Sequence, residues 1–317
     1  MSSHPLRVNP LILQRADPFI LRHSDGYYYF TASVPEYDRL ELRRARTICG
    51  LAEATPVDIW RKPTSGPLSE LIWAPEIHYI AGAWYIYFAA APSREIKDAL
   101  FQHRIFVATT PAANPLDGSW EIKGRVDTGW DSFSLDATSF QFRATQYLVW
   151  AQKHPSIMGN SNLYIAAMSN PQTLATPAVM LSRPEFAWES RGFAVNEGPA
   201  VLVRDERVFL SYSASATDDR YCMGLLHAST GSDLLVPGSW SKSRQPTFTT
   251  YEPRDVYGPG HNSFTVSESG DQDIVVYHAR NYREIAGDPL WNPDRHTCVQ
   301  PIEWDEHGMP VFGLPIR

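Results

Sequence analysis

The chain is poor in cysteine, in basic runs and in long apolar stretches, and each shortage excludes a class of protein. Its 317 residues hold 3 cysteines, Cys49, Cys222 and Cys298, far apart and without a CxxC pair. That count fits reduced, mostly buried thiols and excludes a disulfide framework or a zinc ribbon. Lys and Arg total 28 against 35 Asp and Glu, a net charge of −7, and no basic run exceeds a few residues. Nucleic acid is therefore not an expected partner, and a neutral or weakly charged one is. No stretch approaches the length of a membrane span, and Met1-Ser2-Ser3-His4-Pro5-Leu6-Arg7 has no apolar leader core. The expectation is a cytoplasmic chain with no membrane partner. No segment carries a sustained helical stripe, which disfavours an α/β barrel. The 25 prolines and 19 glycines are spread through turns and do not collect in a linker, so residues 1–317 read as a single domain.

What is present is a passage that returns five times, about sixty residues apart. It opens at Asp17-Pro18-Phe19-Ile20, Ala74-Pro75-Glu76-Ile77, Asp136-Ala137-Thr138-Ser139, Glu197-Gly198-Pro199-Ala200 and His261-Asn262-Ser263-Phe264. After each opening comes a short apolar run, a polar turn and a second run rich in aromatic and β-branched residues, as in Phe19-Ile20-Leu21, Ser24-Asp25-Gly26 and Tyr27-Tyr28-Tyr29-Phe30-Thr31. These are hairpins. A third apolar run follows each of the first four, around Leu42 to Thr47, Ile105 to Thr109, Leu163 to Ala167 and Leu225 to Ser229, and a fourth strand begins near Trp60, Trp120, Val179 and Trp240. Four antiparallel strands repeated five times predict an all-β, five-bladed β-propeller whose innermost strands line a central channel. With 43% hydrophobic and 12% aromatic residues, the chain has ample material for its core.

In a propeller, equivalent repeat positions meet at one channel mouth, so Asp17, Asp136, Glu197 and His261 are expected to converge. Hydrolysis of a glycoside needs one protonated carboxyl to release the leaving oxygen and one ionised carboxylate to activate water. Crowding three carboxyls raises the pKa of at least one, and Glu197 is the candidate acid. An Asp before Pro, as at Asp17-Pro18, is in isolation more often a turn residue; three acids at one repeat position are hard to ascribe to turn chemistry.

The motifs Arg15-Ala16-Asp17-Pro18, Trp73-Ala74-Pro75-Glu76, Ser134-Leu135-Asp136-Ala137, Asn196-Glu197-Gly198-Pro199 and Gly258-Pro259-Gly260-His261-Asn262, in this order over nearly the whole chain, resemble glycoside hydrolase family 43. The resemblance implies inverting hydrolysis of arabinosides or xylosides, with Asp17 as general base, Glu197 as general acid and Asp136 tuning and orienting the acid. Base and acid should then stand about 6.5–9.5 Å apart to admit a water. It also implies that His261 faces the channel and holds a cation, commonly calcium and largely through waters, or supports the carboxylates. A neutral imidazole is an unusual calcium ligand, so a buried, hydrogen-bonded His261 is the competing reading and no cofactor is required for the chemistry. Arg280 resembles a family arginine that binds sugar hydroxyls, with the carboxylates as its expected partners. Trp73 is expected either to stack on a sugar or to be an ordinary rim aromatic. The loop 33–37 and His154 are further pocket candidates. The stretch from Tyr29 to Ala45 and the run Trp73 to His78 look like the α-L-arabinofuranosidase branch. The expected substrate is therefore an arabinose-containing oligo- or polysaccharide, cut from the ends of 1,5-linked arabinan, with β-xylosidase activity as the nearest rival. A sugar-binding propeller without activity would be expected to lose one of the three carboxylates. A phosphorylase would need a basic cluster at the openings, which is lacking. The Asn-Asp-Pro-Asn signature of retaining fructosidases is absent.

Overall fold

The computed structural model describes residues 9–317; residues 1–8, on which the leader expectation falls, lie outside the described residues. Five antiparallel sheets follow one another along the chain. The first holds β1 (Ala16–Arg22), β2 (Tyr28–Ser33), β3 (Arg39–Ala45) and β4 (Val57–Arg61). The second holds β5 (Glu70–Ile80), β6 (Ala83–Ala91), β7 (Arg104–Thr110) and β8 (Glu121–Arg125). In the third, β9 (Ser134–Phe142), β10 (Thr145–Gln152) and β11 (Asn162–Asn170) are edged by two short strands, β12 (Thr173–Leu174) and β13 (Val179–Ser182), both paired with β11. The fourth holds β14 (Asn196–Arg204), β15 (Arg207–Ala214), β16 (Cys222–Ser229) and β17 (Ser241–Lys242). The fifth holds β18 (Tyr257–Val266), β19 (Asp273–Arg280) and β20 (His296–Pro301), and a separate hairpin, β21 (Glu303–Trp304) with β22 (Pro310–Val311), follows it.

The innermost strands β1, β5, β9, β14 and β18 each contact the next, and β18 returns to β1, so the ring closes as a five-bladed propeller. The expectation of four strands per blade holds in blades one, two and four and is corrected in the other two: blade three has a fifth short strand on β11. Blade five has three strands of its own, and its outer edge is taken by the segment before β1, where Ile12 bridges Thr297. An exposed edge beside β20 would leave unpaired backbone groups, and the N-terminal segment covers it.

Burial follows from the strand period of two. Alternate residues of one strand feed different core layers, each filled between adjacent blades. Ile86 and Phe88 of β6 pack with Leu40 and Leu42 of blade one, whereas Tyr87 joins Leu148 and Trp150 of blade three. Likewise Ile274 and Val276 of β19 meet Ile20 and Phe30, and Val275 and Tyr277 meet Met223 and Phe248 of blade four. Both faces of the inner blade strands are thus covered, and polar side chains are left to the channel and its mouths. Cys222 and Cys298 are buried free thiols and Cys49 is an exposed one, in line with mostly buried thiols.

Candidate active site

The repeated opening is a β-bulge with a left-handed residue. Asp17, Ala74, Asp136, Gly198 and His261 have φ of 53°, 45°, 55°, 53° and 44°. Each lies where the inner strand gains one residue over its partner, for example between Ala16↔Ser33 and Phe19↔Thr31, or Gly260↔His278 and Ser263↔Val276. Such a conformation costs a non-glycine residue roughly 1–2 kcal/mol, and its fivefold recurrence marks the mouth as a strained, functional edge. The bulge frees an amide from the ladder, and side chains of the neighbouring blade accept it. Ala74 N–H donates to Ser33 Oγ at 2.8 Å, Gly198 N–H to Asp136 Oδ2 at 3.0 Å, His261 N–H to Ser213 Oγ at 2.7 Å and Asp17 N–H to His278 Nδ1 at 3.1 Å.

This register corrects one alignment. In the fourth repeat the equivalent of Asp17 is Gly198, because Glu197 pairs with Ser213 as Ala16 pairs with Ser33. Glu197 therefore sits one residue earlier than Asp17 and Asp136, and it keeps partial exposure where those two are 7% and 4% exposed. Glycine at position 198 avoids a tight contact, since a Cβ there would lie 3.1 Å from the His261 ring.

Asp17, Asp136, Glu197 and His261 do converge. His261 Nδ1 lies 3.3 Å from Asp17 Oδ1 and 3.9 Å from Asp136 Oδ2. Asp17 is the most heavily supported: Ser33 Oγ donates to its Oδ2 at 2.6 Å, and Arg295 Nη1 donates to its Oδ1 at 3.3 Å. Burial alone would raise the Asp17 pKa, but His261, Arg295 and His278 outweigh it and hold the carboxyl well below its usual range. Arg295 is the permanent charge among them, since burial keeps His261 below its ordinary value and pushes His278 down to about 3. Asp136 goes the other way. Burial, then Glu197 and Asp17, push it well above the usual carboxylate range, against the Gly198 N–H. Burial also lifts Glu197 to about 7, with the Tyr221 hydrogen bond opposing and Asp17 adding to the rise. Asp136 and Glu197 titrate as a pair, so the mouth holds one firmly ionised carboxylate facing two that retain protons.

Arg280 is corrected in its partners. It is buried, but its guanidinium donates to Asn292 Oδ1, Thr217 O and Pro289 O and so ties two loops together. The arginine that reaches the carboxylates is Arg295, which also donates to Tyr37 Oη at 2.9 Å. Arg295 lies in the irregular stretch before β20, where no periodicity singles it out. His278 and Tyr221 were equally unmarked in the sequence reading, although His278 stands two residues before Arg280. Tyr37, from the loop 33–37, does reach the site. Trp73 stacks on His103 at 3.8 Å between ring centroids and meets Tyr37 and Phe101 edge-on. His154 is spent on a local turn, accepting from Ser156 N–H.

The donor set does not fit a directly ligated calcium. Among the described residues no group of three or more His, Cys, Asp or Glu side chains is placed to hold a metal ion, and His261 offers nitrogen where that ion takes six to eight oxygens.

The profile of glycosyl hydrolases family 43 matches residues 8–310. The chain belongs to this family. It is 54% identical to "Alpha-L-arabinofuranosidase 43" of Humicola insolens, over 98% of this chain and 63% of that protein. It is 53% identical to "Extracellular exo-alpha-(1->5)-L-arabinofuranosidase" of Streptomyces avermitilis, over 97% and 63%, and to the protein of the same name from Streptomyces chartreusis, over 89% and 84%. The chain thus spans under two thirds of the length of the first two. Among solved structures, an α-L-arabinofuranosidase from Lactobacillus brevis superposes with a TM-score of 0.96 at 54% identity, covering 98% of this chain and 97% of that one. A thermostable family 43 glycoside hydrolase follows with a TM-score of 0.79 at 25% identity. The expectation of a cytoplasmic chain is corrected here: two relatives at 53% identity are named extracellular. The missing apolar leader core in residues 1–7 is no argument against export. No helix among the described residues is long and apolar enough to cross a membrane.

Proposed function

We propose that this family 43 chain is an inverting, exo-acting α-L-arabinofuranosidase that releases terminal arabinose from 1,5-linked arabinan or arabino-oligosaccharides. The observation that carries the reading is the split in proton affinity at the mouth, with Asp17 held ionised while Asp136 and Glu197 keep protons. Asp17 takes a proton from a water whose oxygen attacks the anomeric carbon. Glu197 gives its proton to the glycosidic oxygen as the carbon–oxygen bond breaks, and water enters on the face opposite the leaving group. Asp136 accepts from the Gly198 amide and so holds the strand next to Glu197, and the repulsion between the two carboxyls keeps them from ionising together. The names of the relatives favour the sugar and the linkage. A panel of p-nitrophenyl glycosides, with proton NMR of the first-formed anomer, tests sugar and stereochemistry together. Arabinofuranoside cleavage with inversion is expected; exclusive xyloside cleavage, or retention, overturns the reading.

A further inference from the structure

We infer that Tyr221 is the positioning residue of the proposed acid: its hydroxyl occupies Oε1 of Glu197 and so assigns delivery of the proton to Oε2. The inference rests on the reading of Glu197 as the acid. Tyr221 Oη donates to Glu197 Oε1 at 2.8 Å. A carboxyl whose one oxygen already accepts a hydrogen bond carries its proton on the other. Tyr221 is itself held on every side. It is 1% exposed, its ring lies parallel to His278 at 5.6 Å between centroids, and Gly260 passes so close that a Cβ there would stand 2.6 Å from the ring. His278 in turn receives the Asp17 amide, so Tyr221 couples the geometry of the acid to that of the base through one packed ring pair.

When Glu197 gives its Oε2 proton to the glycosidic oxygen, the electron pair of that O–H bond stays on the carboxylate. Tyr221 keeps its own proton, and its hydrogen bond to Oε1 becomes charge-assisted and stronger. The contact therefore stabilises the ionised acid more than the protonated one, which is the direction in which it opposes the burial-driven rise. The other titratable and charged groups of the cluster are Asp17 from β1, Glu76 from β5, Asp136 from β9, His261 from β18, His278 from β19 and Arg295 before β20. All are retained when only the hydroxyl is removed.

The test is the pH profile of kcat/KM for Tyr221→Phe, with arabino-oligosaccharide and aryl arabinofuranoside as substrates. The alkaline limb should move up by about one pH unit. kcat on the oligosaccharide should fall about tenfold with KM little changed, and less on the aryl substrate, whose leaving group needs little protonation. A fluorinated tyrosine installed at position 221, a stronger donor of the same shape, should move the limb down and decides the matter if the Phe variant does not fold. A folded Y221F protein with the wild-type limb, or a fluorinated protein whose limb rises or stays, overturns the inference. Glu197→Ala on the same substrate pair separates the two levels. Equal losses on both substrates remove Glu197 from the acid role, whereas a selective loss with an unmoved Y221F limb sinks only the assignment to Tyr221.

Discussion

At the scale of single residues, the opposite displacement of Asp17 and Glu197 dictates how activity depends on pH. The base works ionised, and Asp17 is held well below its usual range, so lowering the pH from neutrality to about 4 should not remove base function. The acid works protonated, and Glu197 sits at about 7, so kcat/KM should fall as pH rises through that value. A profile flat to pH 9 would contradict the pairing. Asp17→Ala should lower kcat on natural and aryl substrates alike, because water activation is needed for both. Glu197→Ala should spare the aryl substrate, and steady-state kinetics on the two substrates distinguish the cases. The three acids and His261 were legible as residues because they recur at repeat spacing. Arg295, His278 and Tyr221 were not: His278 sits on β19 level with Ser33 and Ser213 on the other second strands, a repeat position apart from the openings, and Arg295 and Tyr221 lie just before β20 and β16, where only packing brings them to Asp17 and Glu197.

At the scale of elements, the bulge and the turn before β14 set the aim of Glu197. Glu189, fully buried in the short turn Ala187–Glu189, accepts from the amides of Glu185 and Phe186 with Oε2 and from Asn196 and Tyr212 with Oε1, beside Lys242 Nζ at 2.7 Å. It fastens Asn196, the neighbour of Glu197. Glu189→Ala strands a lysine that is largely buried and should cost about 3–5 kcal/mol by denaturant melt. Burial would raise the pKa of Glu189, but Lys242 and the two amides bring it below the ordinary value. Its contribution is therefore present above the unfolded-state pKa and lost as pH falls through the lower folded-state value, and the variant should lose the corresponding acid-side slope. Gly260→Ala drives a methyl into the Tyr221 ring; the expected outcome is a fold that persists with kcat reduced about tenfold or more. The strands themselves were readable from alternation and turn residues. The one-residue offset of Glu197 against the other openings was not, because matching acid to acid sets Glu197 level with Asp17, and only backbone pairing puts Gly198 there.

At the scale of the whole molecule, closure of the ring holds the acids together. Asn9 Nδ2 donates to Val299 O and Ile316 O while its Oδ1 accepts from Val299 N–H, joining the segment before β1, blade five and the end of the chain. Asn9→Ala removes these bonds from a partly buried seam and should destabilise by about 1–3 kcal/mol, read as a lower Tm with catalysis at low temperature retained. Loss of activity without loss of stability would mean that closure is not what Asn9 serves. The repeat itself determined much: hairpins of period two, used five times, cannot bury their faces except against one another, which dictates a radial array and puts Asp17, Asp136, Glu197 and His261 at one mouth. Which proton each acid keeps was decided only by the tertiary structure. Proton affinity depends on burial and on the charges and donors within a few ångströms, and here those are Ser33 and His278 on the second strands of their hairpins and Arg295 and Tyr221 from the stretches before β20 and β16.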